Sequence, residues 1–141
     1  MEVIGSRPKL VSFRATGIHA ESKTASSGYE PWNFQLTETI EVVLASAKND
    51  QATALHVVVK IDLLAKATKT SASDEKAEFN AAYEAKFEYP AGVTEAEVLP
   101  QLDKEFYQYM LVAQAFPLAM THFRREMQSM GFDARDLPLG I

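Results

Sequence analysis

The sequence predicts one α+β domain, in which a four-stranded antiparallel meander sheet is followed by a long C-terminal helix that packs on one face of the sheet. Apolar and polar residues alternate in four stretches between residues 9 and 89, as half-buried strands do. Between Leu102 and Met130 the apolar residues instead recur at intervals of three and four, as on one face of a helix. A chain of 141 residues is long enough for one core, so we expect a single domain over residues 1–141.

The four strands differ in how clearly the alternation marks them. Lys9 to His19 is the least regular, and Trp32 to Leu44 is the clearest, with its apolar series interrupted only by Glu38. Leu55 to Leu64 and Ala77 to Tyr89 alternate in the same way. Polar, Gly- or Ser-containing segments separate these stretches and predict turns and loops. Strands that follow one another with short connections form an antiparallel meander.

A proline–glycine turn at residues 90–92 ends the sheet region. Thr94 is then expected to be the N-cap of a short helical turn that runs to Pro100. Glu97, three residues after Thr94, completes the pattern of a capping box.

The long helix is expected from Lys104 to Met130, with Pro117 kinking it and Gly131 ending it. Asp103 and Glu105 are expected in its first turn, where the helix dipole favours negative charge. Its apolar stripe comprises nine residues: Leu102, Phe106, Tyr109, Ala113, Phe116, Met120, Phe123, Met127 and Met130.

The dimensions of these elements predict an apolar surface that the chain cannot cover by itself. Four strands make a sheet about 19 Å wide, whereas one helix is only about 10 Å across. The rest of the apolar face is therefore expected to meet another subunit or a binding partner. We expect a homo-oligomer, most simply a tetramer.

Composition excludes several classes of protein. The sequence contains no cysteine, which rules out disulfides, thiolate catalysis and cysteine-ligated zinc, and favours the cytoplasm. Its net charge of −5, without a basic stripe, argues against nucleic-acid binding. It has no run of about 20 apolar residues and no signal-peptide pattern, so membrane insertion and secretion are not expected.

The sequence offers little support for catalysis. His19, His56 and His122 fall on different predicted elements, and only His122 has a carboxylate, Glu126, at helical spacing. Two ligands do not make a zinc site. No phosphate-binding glycine loop, nucleophile elbow or HExxH motif is present. We therefore expect no enzymatic activity, no cofactor and no metal.

Three motifs in the last third of the chain resemble the SecB family of export chaperones. They are YPAGV at Tyr89–Val93, AFPLAM at Ala115–Met120, and GFDARDLPLGI from Gly131 onward. The entry to the second strand, Tyr29–Trp32, is similar to the aromatic crossover region of that family, and the order of elements matches over residues 9–141. The resemblance implies a cytoplasmic, ATP-independent holdase that assembles as a dimer of dimers and binds unfolded chains in long apolar grooves.

The sequence departs from the SecB pattern in two respects. No counterpart of the family's second C-terminal helix is expected after the Leu-Pro pair at residues 137–138. The acidic strand patch that docks the export motor also has no obvious counterpart. Unfolded clients are therefore the expected partners, while an export motor and an antitoxin remain alternatives, as do roles in protein transport and in toxin–antitoxin control.

The expected client groove lies between the crossover at residues 20–34 and the long helix. Aromatic and methionine side chains suit promiscuous binding because they offer apolar area without demanding a matched hydrogen bond. The candidate lining consists of Tyr29, Trp32, Phe34, Met110, Phe116, Met120 and Phe123. Core packing is an equal alternative for Trp32. A small-ligand-binding α+β protein and a purely structural oligomer are the alternative functions.

Overall fold

A computed structural model of the chain describes residues 7–22, 32–46, 55–69, 76–132 and 137. These residues form four strands followed by two helices. The elements are β1 (Lys9–Ser22), β2 (Trp32–Ser46), β3 (Leu55–Lys69), β4 (Lys76–Glu88), α1 (Glu95–Leu102) and α2 (Glu105–Ser129). The predicted α+β class, with a four-stranded antiparallel sheet followed by a long helix, is confirmed.

The strands lie in the order β1-β4-β3-β2, and every neighbouring pair is antiparallel. The meander therefore comprises β2, β3 and β4, while β1 pairs with β4 at the other edge of the sheet. The chain must cross from one edge to the other between β1 and β2. Alternation in the sequence shows which residues share a face, but it does not show which strands are neighbours, so the pairing of β1 with β4 is information that the structure adds.

The core lies on the side of the sheet that faces α2. Every second residue of β3 and β4 is buried there, and the strand register places Val57 opposite Phe87 and Ile61 opposite Tyr83. The helix contributes its own buried residues, which are Leu111, Val112, Ala115, Phe116, Ala119, Met120, Phe123 and Met127. Sheet and helix thus form the two layers of a single core.

The opposite face of the sheet carries charged residues that alternate in sign across the strands. Glu41 of β2 lies opposite Lys60 of β3, which lies opposite Glu84 of β4. The row ends at Arg14 of β1, whose guanidinium donates to the Glu84 carboxylate at 3.1 Å. Cross-strand pairs of opposite charge suit a hydrated face.

The connection from the sheet to the helices departs from the prediction in its details. Gly92 adopts a positive φ of 93° in the turn after β4, and Thr94 is the N-cap of α1. The Thr94 side chain makes no capping hydrogen bond, so the predicted capping box is wrong; its carbonyl oxygen instead accepts from the Glu97 amide at 3.1 Å. Asp103 caps α1 at its C-terminus instead of opening the long helix, which begins at Glu105.

The predicted end of the long helix at Gly131 is confirmed. Gly131 has a φ of 89°, its amide donates to the Gln128 carbonyl, and the Phe132 amide donates to the Met127 carbonyl. These two bonds are those of a Schellman motif. The reversal places the Phe132 ring against Phe79 of β4 and Phe34 of β2.

Candidate functional site

The second half of α2 supplies the centre of the core. Phe116 and Met120 have no exposed surface and Phe123 is 2% exposed. All three were predicted to line the client groove, yet they pack between α2 and the sheet. A client can reach them only if α2 moves away from the sheet.

The first half of α2 turns part of the same apolar stripe outward. Phe106 is 82% exposed and Tyr109 is 52% exposed, while Leu111 and Val112 face the sheet instead. Direction around the helix does not decide which residues are covered. Tyr109 and Met127 are 18 residues, or five full turns, apart and point the same way on a straight helix, yet Tyr109 is 52% exposed and Met127 is buried. What differs between them is their position along α2.

A continuous apolar strip results on the outer side of α2. Each member lies three or four residues from at least one other member, which is the spacing that makes helical neighbours. This outer stripe consists of Phe106, Tyr109, Met110, Ala113 and Pro117, the last three of which are partly buried. Beyond it, Leu118 is 40% exposed.

The apolar row of β2 is the second incompletely covered surface. The helix α2 packs against β1, β3 and β4, whereas β2 lies at the edge of the sheet. Residues of β3 and β4 on the helix side are buried, but those of β2 are only partly buried. This β2 row consists of Phe34, Leu36, Ile40, Val42 and Leu44. The burial pattern agrees with the prediction that one helix is too narrow for this sheet.

The described residues of the predicted groove do not converge on a single pocket. Phe34 lies near the end of α2, where its ring is 6.3 Å from that of Phe132. Met110 lies near the beginning of α2, one turn after Tyr107, whose hydroxyl meets that of Tyr89. Phe79, which contacts Phe132, marks the position of Phe34, and Tyr89 marks that of Met110. Phe79 and Tyr89 are ten residues apart along one extended stretch of chain, so the two positions are roughly 30 Å apart.

The two remaining predicted site residues are only partly accessible to description. Tyr29 lies outside the described residues. Trp32 is the first residue of β2, opposite Lys69, but its side chain lies outside what the structure describes. The choice between groove and core for Trp32 therefore stays open, and its role stays a prediction.

A partly buried polar contact holds the second half of α2 on the sheet. The Tyr83 hydroxyl lies 2.8 Å from His122 Nδ1, and His122 Nε2 lies 3.6 Å from the Glu126 carboxylate. Burial and the negative charge of Glu126 raise the pKa of Tyr83, so its hydroxyl stays protonated and can donate to His122. This hydroxyl links β4 to α2. Because Tyr83 is only 1% exposed, the hydroxyl is closed to solvent.

A second polar contact, between two hydroxyl groups, links the first half of α2 to the end of β4. The Tyr89 and Tyr107 hydroxyls are 2.6 Å apart. Burial, and then the hydrogen bond to Tyr107, raise the pKa of Tyr89. Each half of α2 is therefore fixed to the sheet by one tyrosine of the core.

Neither a metal-binding group nor a membrane-spanning helix emerges from the described part of the chain. Its His, Asp and Glu residues do not form any group of three or more that could hold a metal ion. None of its helices combines the length and the apolar character that crossing a membrane requires.

Comparison with known proteins found similarity to solved structures. No family model and no curated protein matches the chain. Among solved structures, the chain is similar to a SecB-like chaperone of Mycobacterium tuberculosis in complex with a ChAD peptide from the HigA1 antitoxin. The TM-score is 0.62 at 16% sequence identity, over 89% of this chain and 85% of the other. The chain has a SecB-like fold.

The sequence predicted that part of the apolar sheet face would stay uncovered, but it did not predict where on the SecB-like fold this surface lies. Phe106 and Tyr109 belong to the predicted stripe, and its three- and four-residue spacing does not distinguish them from its buried members. The exposure of the β2 row depends on β2 being an edge strand, which no local pattern in the sequence reveals.

Proposed function

We propose that this chain is an ATP-independent holdase that binds unfolded polypeptides on the apolar surface that α2 leaves uncovered. The observation that carries the proposal is the partly buried β2 row, which continues the core face to the edge of the sheet. The SecB-like fold supports it, because the similar structure from Mycobacterium tuberculosis is a chaperone bound to a peptide.

The β2 row has the physical properties that binding of unlike sequences requires. Its aliphatic and aromatic side chains offer area without directional demands, and each 100 Å² of apolar surface that a client buries contributes about 2.5 kcal/mol before ordering costs. No described strand pairs with the outer side of β2, so its backbone groups can bind an extended segment. Affinity then comes from several modest contacts.

The predicted anchors differ in how they fit this proposal. Tyr29, Trp32 and Phe34 would hold a client at one end of the β2 row, whereas Met110 belongs to the outer stripe, which the assembly proposed below would cover. Phe116, Met120 and Phe123 would join the surface only in a state in which α2 has moved from the sheet. The loss of stability at high pH reports how firmly Tyr83 and Tyr89 hold α2 on the sheet.

We propose that copies of the chain assemble through the outer stripe of α2, as a homotetramer built from two dimers. An exposed phenylalanine with neighbouring apolar residues at helical spacing suits helix-to-helix packing. Sedimentation analysis over a range of micromolar concentrations tests this assembly. A monomer at every concentration contradicts it.

The partner class follows from the same reasoning. The similar structure binds an antitoxin peptide, so a segment of an antitoxin is one client to test, and a protein destined for export is another. A cytoplasmic location, and an export motor as a further partner, belong to this proposal.

Aggregation of the insulin B chain after reduction with dithiothreitol tests the proposal directly. The assay is clean here because the sequence contains no cysteine, so the reductant cannot alter the chaperone. We expect protection at near-stoichiometric ratios, unchanged by ATP. Absence of protection at any ratio, or protection that requires ATP, overturns the proposal.

Two isosteric variants connect the activity with the β2 row. Val42 belongs to this row, whereas Val43 is a similarly half-buried residue on the opposite face. Val42→Thr should weaken client affinity roughly fivefold, since burying a hydroxyl in place of a methyl costs about 1 kcal/mol. Val43→Thr should leave it unchanged. Equal effects of the two variants would place the client elsewhere.

A further inference from the structure

One carboxylate interrupts the β2 row at its centre. Glu38 shares the core-side face with Leu36 and Ile40, its neighbours two residues away on either side. Directly opposite on β3 lies Leu63, which is 1% exposed. The next strands continue this line with Ala81 and then Ile18. The sheet therefore offers Glu38 no cation on its own line.

The Glu38 carboxylate is also without a partner in the described part of the molecule. None of the hydrogen bonds or ion pairs of these residues involves it. The residue is exposed, so water solvates its charge as long as the β2 row is uncovered. By contrast, Glu84 on the other face is paired with Arg14 at 3.1 Å.

Covering the β2 row changes the situation of this charge. Removing a carboxylate from water is unfavourable unless a counter-charge or hydrogen-bond donors replace the water. A purely apolar segment laid on the row would remove water from the Glu38 carboxylate without supplying a counter-charge. An acidic segment would add repulsion. A segment that places a lysine or arginine there satisfies the carboxylate and still buries the apolar side chains on both sides.

We propose that Glu38 selects client segments that carry a lysine or arginine between apolar residues. This inference rests on the chaperone function proposed above. A strand that pairs with the free edge of β2 puts its residue opposite Glu38 on the same face. The residues two positions away on either side meet Leu36 and Ile40, and those four positions away meet Phe34 and Val42. The recognised pattern is a central cation with apolar residues at alternate positions.

A different role for the same residue is protection of the edge strand. Charged residues that point inward on edge strands keep copies of a sheet from pairing with each other. In that case removal of the charge promotes self-association of the chain and leaves client preference as it was. The two roles therefore predict different responses to the same substitution.

Fluorescence anisotropy with three labelled nonapeptides separates these possibilities. The peptides carry valine or leucine at the first, third, seventh and ninth positions and serine or threonine at the even positions. They differ only at the fifth position, which is lysine, glutamine or glutamate. The wild-type chain is compared with Glu38→Gln and Glu38→Lys. The matched control is Glu41→Gln, which removes the same charge from the opposite face of the same strand.

We expect the wild-type chain to bind the lysine peptide roughly fivefold more tightly than the glutamine peptide, the value of an ion pair of about 1 kcal/mol, and the glutamate peptide most weakly. Glu38→Gln should abolish this order, Glu38→Lys should reverse it, and Glu41→Gln should keep it. The preference should shrink at 0.5 M salt because screening weakens ion pairs.

Each other outcome has a definite meaning. Equal binding of the three peptides by the wild-type chain overturns the role of Glu38 and leaves the chaperone proposal standing. A lysine preference that survives Glu38→Gln assigns selection to another residue and overturns it as well. Self-association of Glu38→Gln with unchanged peptide preference shows edge protection instead. Failure of all three peptides to bind removes the proposed function, and this inference with it.

Discussion

The two halves of α2 carry similar apolar residues and meet different surroundings. Phe116, in the second half, has no exposed surface, whereas Phe106, ten residues earlier, is 82% exposed. Position along the helix separates the two surroundings, and direction around it does not, since Tyr109 and Met127 point the same way on a straight helix and only Met127 is buried. An apolar stripe along a helix therefore identifies surface that must be buried, but not the partner that buries it.

Truncation of Phe116 should weaken the packing of the second half of α2 on the sheet. Phe116→Ala removes a ring from the centre of the core and leaves a cavity, so the free energy of unfolding should fall by about 3–5 kcal/mol. Denaturant titration followed by circular dichroism measures this loss. A fall below about 1 kcal/mol would mean that α2 is not packed on the sheet as described.

High pH should test the tyrosine ties at both ends of α2. The pKa values of Tyr83 and Tyr89 are raised above 10.0 in the folded chain, while unfolded phenols ionise near 10. Below pH 9 both states keep these protons and stability is unaffected. Above pH 10 only the unfolded state loses them, so stability falls, by about 1.4 kcal/mol per tyrosine at pH 11.

The contributions of Tyr83 and Tyr89 to the alkaline loss of stability can be separated by substitution. Unfolding of Tyr83→Phe and Tyr89→Phe, measured at pH 9 and pH 11, should show a smaller alkaline loss than the wild-type chain. Tyr109→Phe is the control, since Tyr109 is an exposed phenol on the same helix. An alkaline loss that is the same in all four proteins would contradict the assignment to the buried ties.

The sequence predicts most of the fold because the main signals are local. Alternation in four stretches and helical spacing in the last third determine which face of each element is apolar, and these faces are confirmed for β3, β4 and the second half of α2. Gly131 was predictable as a helix end because few other residues adopt its positive φ. The neighbour relation between β1 and β4 was not, since pairing across the sheet depends on long-range contacts.

The candidate site was less predictable for the same reason. Aromatic and methionine residues look alike in the sequence whether they fill a core or line a groove, and Phe116, Met120 and Phe123 lie in the core. Glu38 was visible as an interruption of an apolar series. Its meaning depends on β2 being an edge strand that α2 does not contact closely, which only the assembled sheet reveals.

The helix end that directs Phe132 onto the sheet should respond to loss of its glycine. Gly131→Ala places a side chain at a φ of 89°, which strains the backbone and weakens the Schellman motif. The free energy of unfolding should fall by about 1 kcal/mol. Gly131→Asn, a residue that tolerates this conformation better, should recover part of that loss. Equal stability of all three proteins would mean that the conformation of residue 131 does not limit folding.

Truncation of Phe106 should have the smallest effect on folding and the clearest effect on assembly. Because Phe106 is 82% exposed, Phe106→Ala should change the free energy of unfolding of the isolated chain by less than about 0.5 kcal/mol. In the proposed oligomer the same ring is buried between copies, so its loss should shift dissociation to higher protein concentration, by roughly tenfold for each 1.4 kcal/mol of lost contact. Sedimentation measures the second quantity, and denaturant titration at a concentration where the chain is monomeric measures the first. Phe106→Ala and Phe116→Ala then form a matched pair, because each variant removes one phenylalanine ring from α2. If Phe106→Ala lowers stability as much as Phe116→Ala and leaves assembly unchanged, the first half of α2 belongs to the core, and the contrast between the two halves is lost.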